Sequence, residues 1–282
     1  MRITFLGTSA ATSCPLAFCR CGVCEKARKV GGKDFRKRSS LLINQDLLID
    51  FGPDIMTASF MYGISIADVR YCLQTHSHSD HFDASHFTTR ISEYAVVNIP
   101  HLQLYASNAT LRKMSEMLRN ESYITDLFDP KEKERLNLSV YSVKHLQSFE
   151  AGKYQISAFL TNHDKSVDSL LYTITENDYT VFYGTDTDII PEETWKGFHE
   201  KKLQFDIVVL DHTYGPNIDG GGHLNANQFI KHVQRMRKED LLKKNARIFA
   251  THISHEGNPI HSELVEYGKK HGYEIAYDGL VM

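Results

Sequence analysis

Thr75-His76-Ser77-His78-Ser79-Asp80-His81 follows directly on the β-type run Tyr71 to Thr75 and places four metal-type side chains within six residues. His76 and His78 stand two apart at a strand end, so both imidazoles can turn to one side. Asp80 and His81 can then serve a second ion close by. Two-metal hydrolytic centres use such nitrogen and oxygen donors, with ions about 3.5–4 Å apart and a water activated between them. A solvated polar turn accounts for one or two histidines, but not for HxHxDH at the end of a strand.

The rest of the chain is compatible with that reading. Its 282 residues are 41% hydrophobic and 24% charged, which suits a folded protein with a large core and excludes a disordered or fibrous one. A net charge of −3 leaves no basic footprint for nucleic acid or anionic lipid, so a phosphate-bearing partner must be held by a local site and a small substrate is favoured. No run approaches the roughly 18–20 apolar residues of a membrane span, and Met1 to Gly7 is too short and broken for a signal peptide. A cytoplasmic protein without membrane partners is expected. The five cysteines are an odd number, and Cys14, Cys19, Cys21 and Cys24 crowd into one short stretch, which suits metal better than a disulfide frame.

Short β-type runs alternate with helical patterns throughout. Strands are predicted at residues 2–6, 39–43, 47–50, 71–75, 102–106, 139–143, 154–160, 170–175, 180–184, 207–211, 248–252 and 274–277. The clearest helices are Asn108 to Leu118 with Asn108 as N-cap, Pro191 to His199, Asn225 to Arg237, and Ser262 to Lys270 closed by Gly272. Length alone suggests two domains at roughly 150 residues each, yet no linker or charge block divides the chain. One domain over residues 1–282, two packed sheets with helices outside, is the expectation.

The HxHxDH segment resembles the signature of the metallo-β-lactamase superfamily, and the resemblance extends over almost the whole chain. It implies an α/β (α+β) fold, a four-layer αββα sandwich of two mixed sheets with outer helices and a site at one edge. It also implies a lone histidine, a bridging aspartate and a late histidine, matched in order by His163, Asp186 and His252. By that pattern His76, His78 and His163 hold one ion; Asp80, His81 and His252 hold another; and Asp186 bridges them. Asp50, ending Leu47-Leu48-Ile49-Asp50, matches the family's strand-end aspartate that accepts a hydrogen bond from a ligating histidine. Thr8, in the turn Gly7-Thr8-Ser9, either supports the ligands or bonds its own backbone. Asp211 and His212 end another strand, and either can belong to the site.

Cys19-Arg20-Cys21-Gly22-Val23-Cys24 is a CxCxxC knuckle, within a zinc-binding stretch expected at residues 14–24. The most similar subgroup is the PhnP-like phosphoribosyl cyclic phosphodiesterases, in which a histidine three residues after the last catalytic ligand completes the knuckle. That position is His255, with Cys14 as competitor. The segments Asn162-His163-Asp164-Lys165 and Ala276-Tyr277-Asp278-Gly279-Leu280 also look like that subgroup. The resemblance further implies that His223, in a glycine-flanked loop, contacts phosphate and protonates the leaving group, alongside Asp80 as a catalytic residue. Lys165 can steady a phosphate by charge.

The resulting expectation is a dinuclear phosphodiesterase acting on a small cyclic phosphodiester of the phosphoribosyl cyclic phosphate kind by attack of a metal-activated hydroxide. Its cofactors would be two divalent ions, zinc or manganese, and one structural zinc. No extended nucleic-acid surface is expected, and a homodimer is compatible. Other readings are a thiolester hydrolase, an RNA-processing hydrolase lacking the dedicated RNA-binding arm, or a non-enzymatic PqqB-like protein. PqqB also resembles this chain around CxCxxC and Ser39-Ser40 but departs from the full ligand set.

Overall fold

Apolar side chains of the strands alternate with period two between two cores. In β2 (Ser40–Ile43) Leu41 and Ile43 face a central core while Leu42 faces an outer one, and β3 (Leu47–Ile49) repeats this with Leu47 and Ile49 against Leu48. In β11 (Phe205–Asp211) Ile207 and Val209 share the central core while Val208 and Leu210 face a third cluster. Sheets apolar on both faces must be covered on both, and two stacked sheets with helices outside satisfy that.

The computed structural model describes residues 1–121 and 124–282. The first sheet has the order β1 (Ile3–Gly7), β2, β3, β4 (Tyr71–Leu73), β5 (Leu102–Ala106), β6 (Leu138–Ser142), antiparallel up to β3 and parallel beyond. The second runs β13 (Glu274–Ile275), β12 (Leu242–Thr251), β11, β10 (Tyr179–Gly184), β9 (Leu170–Glu176), β8 (Tyr154–Leu160), β7 (Ser148–Ala151). Strands β7 to β10 pair antiparallel, and β10 to β13 pair parallel.

The first sheet's outer face is covered by helices α2 (Ile55–Tyr62), α3 (Ala84–Thr88) and α4 (Asn108–Glu121) through Ile55, Phe87, Leu111 and Met114. The second sheet is covered by α6 (Glu192–Glu200), α7 (Ala226–Lys238) and α8 (His261–His271) through Trp195, Phe229 and Leu264. Helices α1 (Gly22–Val30) and α5 (Pro130–Arg135) complete the set. This is the expected αββα sandwich. Among the described residues, no helix is long and apolar enough to cross a membrane.

Each predicted strand and helix has a counterpart, with ends shifted. Strand β12 begins six residues before the expected Ile248, because its largely polar first half gains backbone pairing at Leu242, whose side chain packs only partly against the third cluster. Strand β7 and helices α1, α2, α3 and α5 were not expected. For α4 the N-cap is Ser107 rather than Asn108: the Ser107 hydroxyl accepts from the Thr110 N–H at 3.0 Å. Asn225 caps α7 with a full capping box to Gln228.

Candidate metal centre

The ligand-type residues sit just beyond strand ends, at one edge of both sheets. His76 follows β4, His163 follows β8, Asp186 follows β10 and His252 follows β12. Asp50, Asp186 and His252 hold left-handed backbone, with φ of 63°, 50° and 59°. Such conformations in non-glycine residues persist where surrounding contacts over-determine them. Gly52 lets the HxHxDH loop lie close, since a Cβ there would stand 2.8 Å from the Asp80 carbonyl oxygen.

Three imidazole nitrogens converge in the first group. His76 Nε2 lies 3.0 Å and His163 Nε2 3.3 Å from His78 Nδ1. In the second group His81 Nε2 is 3.2 Å from Asp80 Oδ2, and His252 Nε2 is 3.1 Å from Asp186 Oδ2. Asp186 stands between the groups: Oδ2 meets His81 Nε2 and lies 3.9 Å from His76 Nε2, while Oδ1 is 3.6 Å from His163 Nε2.

Three atoms here, His81 Nε2, His252 Nε2 and Asp186 Oδ2, are buried and make no hydrogen bond. Lone pairs left unpaired in a buried site are costly unless a cation takes them, so this donor set fits divalent ions. The electrostatics agree. Burial favours a neutral Asp186, yet His252 and His81 hold its carboxyl well below the usual range. Burial likewise opposes charge on His252, yet Asp186, Asp80 and Asp211 push its pKa up to about 10.

The far nitrogens of the imidazoles are all occupied. Thr75 Oγ1 contacts both Asp50 oxygens, at 2.9 and 3.0 Å, and His76 Nδ1 at 3.0 Å. Its single proton goes to the carboxylate, so it accepts from His76 Nδ1–H and leaves Nε2 free for an ion. Thr213 repeats the device between Asp211 Oδ1, at 2.9 Å, and His252 Nδ1, at 2.8 Å. His81 Nδ1 donates to Asp50 Oδ2 at 2.7 Å, and His163 Nδ1 to the Gly222 carbonyl at 3.1 Å. His78 is reversed: its Nε2 meets Asp164 Oδ2 at 3.0 Å and its Nδ1 faces the cluster. Such partners fix tautomer and ring orientation.

His223 and Asp211 form the remaining pair at the site. Asp211 Oδ2 accepts from His223 Nδ1 at 3.1 Å, while Oδ1 accepts from Thr213 N, Thr213 Oγ1 and Leu224 N. With its lone pairs used in this way, Asp211 suits support rather than ligation, although Asp186, Asp211, His223 and His252 also lie within reach of one ion. Burial opposes protonation of His223, but Asp211 and then Asp186 raise its pKa above the ordinary histidine value. His223 lines a cavity of about 140 Å³ with His78, Asp80, His163, Asp186 and His252.

The remaining sequence candidates fall as follows. His212 is buried away from the cavity, bonded to Asn258 Oδ1 and Tyr273 OH. The Thr8 hydroxyl bonds Asp278 and Arg36 rather than a ligand, and only its carbonyl, accepting from Ile253 N, reaches the His252 segment. Lys165 is exposed, and its neighbour Asp164 is the loop residue that meets a ligand. Cys14 stands outside the thiol cluster, its thiol pushed up to about 11 by burial. Thr75, Thr213 and Asp164 were missed; the hydroxyl beside His76 and the Asp-x-Thr at 211–213 were the available signals.

Cys19, Cys21, Cys24 and His255 gather into a separate cluster, with His255 Nδ1 3.7 Å from Cys19 Sγ and 3.6 Å from Cys21 Sγ. Burial raises the Cys21 thiol, but the Cys24 N–H, His255 and Cys19 outweigh it and bring the pKa down to about 6. The set fits a closed four-coordinate zinc.

The sequence model of the beta-lactamase superfamily domain matches residues 45–253. The solved structure of a diphosphatase from the PhnP family aligns with a TM-score of 0.73 at 21% identity, covering 100% of this chain and 97% of that one. Zinc-bound PqqB from Methylobacterium extorquens aligns at 0.74 and 17% identity, covering 100% and 99%, and the short form of human tRNase Z at 0.61 and 15%, covering 100% and 98%. Identities this low speak to fold. No curated protein sequence matches the chain.

Proposed function

The chain belongs to the β-lactamase superfamily, and from that premise we propose that it is a metal-dependent phosphodiesterase hydrolysing a small cyclic phosphodiester. One observation carries the proposal: a preorganised ligand cluster shares its cavity with a His223 whose pKa is raised by Asp211. His76, His78 and His163 would hold one zinc or manganese ion, Asp80, His81 and His252 a second, and Asp186 would serve both. Such ions draw in the phosphoryl oxygens and make water acidic enough to attack near neutral pH.

The residues supply the rest. Asp50, Thr75 and Thr213 lock the ligand tautomers before substrate arrives. The attacking water's oxygen joins phosphorus and its proton leaves to solvent. As one P–O ester bond breaks and the ring opens, the departing oxygen takes the Nε2 proton of His223, giving one product that carries both a phosphomonoester and a free hydroxyl, while Asp211 steadies the imidazolium through Nδ1. The cysteine cluster with His255 would take a structural zinc, tying the N-terminal knuckle to the loop after β12.

Metal-reconstituted protein screened against phosphodiesters, phosphomonoesters and thiolesters tests the reading. Hydrolysis of phosphodiesters, dependent on added ions, is expected. Thiolester hydrolysis alone would replace the reading with another hydrolase, and inactivity toward all three classes at full ion content would favour a PqqB-like role without catalysis.

A further inference from the structure

A second cavity lies on the outer face of the first sheet, beneath α2 and the end of α3, and shares no lining residue with the cavity of the metal centre. It holds about 270 Å³, just below the roughly 300–1,000 Å³ of small-molecule sites. Leu48 of β3, Leu102 of β5, Phe51, Met56 and Val69 give it apolar walls. Ser65 and Ala67, both exposed, mark its open side.

Its polar inventory reduces to one group. Three hydroxyls line the cavity, and each is engaged nearby: Ser59 Oγ donates to Ile64 O, Thr89 Oγ1 donates to His86 O at 2.6 Å, and Ser65 Oγ accepts from Ala67 N at 3.1 Å. What remains is the half-buried Arg90. Its Nη2 donates to Pro100 O at 3.1 Å and its Nε to Leu136 O at 3.4 Å, while Nη1 makes no hydrogen bond among the described residues. The two carbonyls orient the guanidinium without neutralising it. Burial works against its charge, and the one ionisable group that bears on it is the Cys72 thiol, which burial pushes up and so keeps neutral. A guanidinium withdrawn from water without a counter-charge is costly.

One cation among apolar walls complements a molecule with one anionic end and an apolar body. A guanidinium fork matches a carboxylate through two parallel N–H···O bonds. The volume admits one short chain or ring and leaves out two-chain lipids. We propose that this cavity binds a small free monocarboxylate with an apolar tail, its carboxylate on Arg90 and its tail against Phe51, Met56 and Val69. The site is independent of whatever reaction the metal centre carries out.

The test uses the full chain at fixed ion content, with decanoate and decan-1-ol as probes. Calorimetry should show decanoate held about 10-fold or more tighter than the alcohol, because hydrogen bonds between charged groups outweigh those to neutral ones. Methyl NMR locates the probe: Met56, Ile66 and Ile99 at this cavity should shift. Arg90→Met should bring decanoate down to the affinity of the alcohol, and Arg90→Lys should keep part of the preference. Should Arg90→Met fail to fold, Ala67→Trp decides, since its indole fills the open side and should exclude both probes with the melting temperature unchanged. Binding of neither probe to wild type, equal affinity for the two, or a decanoate preference that survives in folded Arg90→Met or Ala67→Trp overturns the proposal. So do methyl shifts confined to Ala10, Ala11 and Thr213, which would make decanoate a ligand of the metal centre. Co-sedimentation with phosphatidylglycerol vesicles in place of decanoate binding also overturns it, and would make the cavity a contact with an anionic lipid surface.

Discussion

Thr213→Val removes one hydroxyl and nothing else from the centre, because valine keeps the shape of threonine. In the wild type that hydroxyl links His252 Nδ1, at 2.8 Å, to Asp211 Oδ1, at 2.9 Å. Its loss leaves the His252 Nδ1–H without its acceptor and frees the ring to present either nitrogen. Partners of this kind are worth about 10–100-fold in ion affinity, or about 1.4–2.7 kcal/mol. His252 Nδ1 is also 3.5 Å from Asp211 Oδ2, so a small swing recovers part of the bond and places this variant near the 10-fold end. Thr75→Val is the counterpart on the other ion. His76 Nδ1 meets Thr75 alone among the described residues, which puts that loss near 100-fold. Cobalt titration of metal-free protein against a competing chelator reads both affinities. Thr75→Val should weaken the ion held by His76, His78 and His163, and Thr213→Val the ion held by Asp80, His81 and His252. Two folded variants that bind both ions within about 2-fold of wild type would refute the hydroxyl relay.

Other consequences can be measured separately. Asp186→Ala should abolish nearly all hydrolysis and weaken both ions, and wild-type activity in that variant would reject the shared carboxylate. His223→Ala should slow a ribose cyclic diester by about 100-fold while a nitrophenyl diester, whose leaving group needs no proton, loses much less; equal losses would make His223 a phosphate anchor. Cys21→Ser should release about one zinc per chain and lower the melting temperature, and unchanged zinc content with unchanged melting would rule out the knuckle. Burial pushes His212 down to about 4, so it stays neutral in the folded chain while the unfolded chain takes up a proton below about pH 6.5. Stability at neutral pH should therefore decline as pH falls from about 6.5 toward 4, by up to about 3 kcal/mol, and His212→Gln should flatten the slope of urea midpoints over that window.

The dense spacing of His76, His78, Asp80 and His81 made the centre readable, because four donors within six residues after a strand leave little else for them to do. His163, Asp186 and His252 needed the resemblance, since each is a single residue in an ordinary loop and only folding brings them within reach of one another. Thr75 and Thr213 escaped because a hydroxyl gains its meaning from a carboxylate across the fold, and Asp50 lies 25 residues before Thr75. Lys165 stands out by its charge, and nothing in the loop sequence says that Asp164 is the side chain that turns toward His78. Strand β7 was invisible for a similar reason: its four residues at a sheet edge bury little, and only pairing with β8 defines it.

His252 and His255 lie three residues apart on one loop, the first among the catalytic-type ligands and the second among the thiols. That loop is a shared tether with a fixed length. Gaining or losing a single residue between them would pull one imidazole out of register whenever the other was in place. Descendants of this chain can therefore exchange walls, helices and cavity-lining side chains piecemeal, but the two ligand clusters must be inherited as a unit, or one must be abandoned before the spacing can drift.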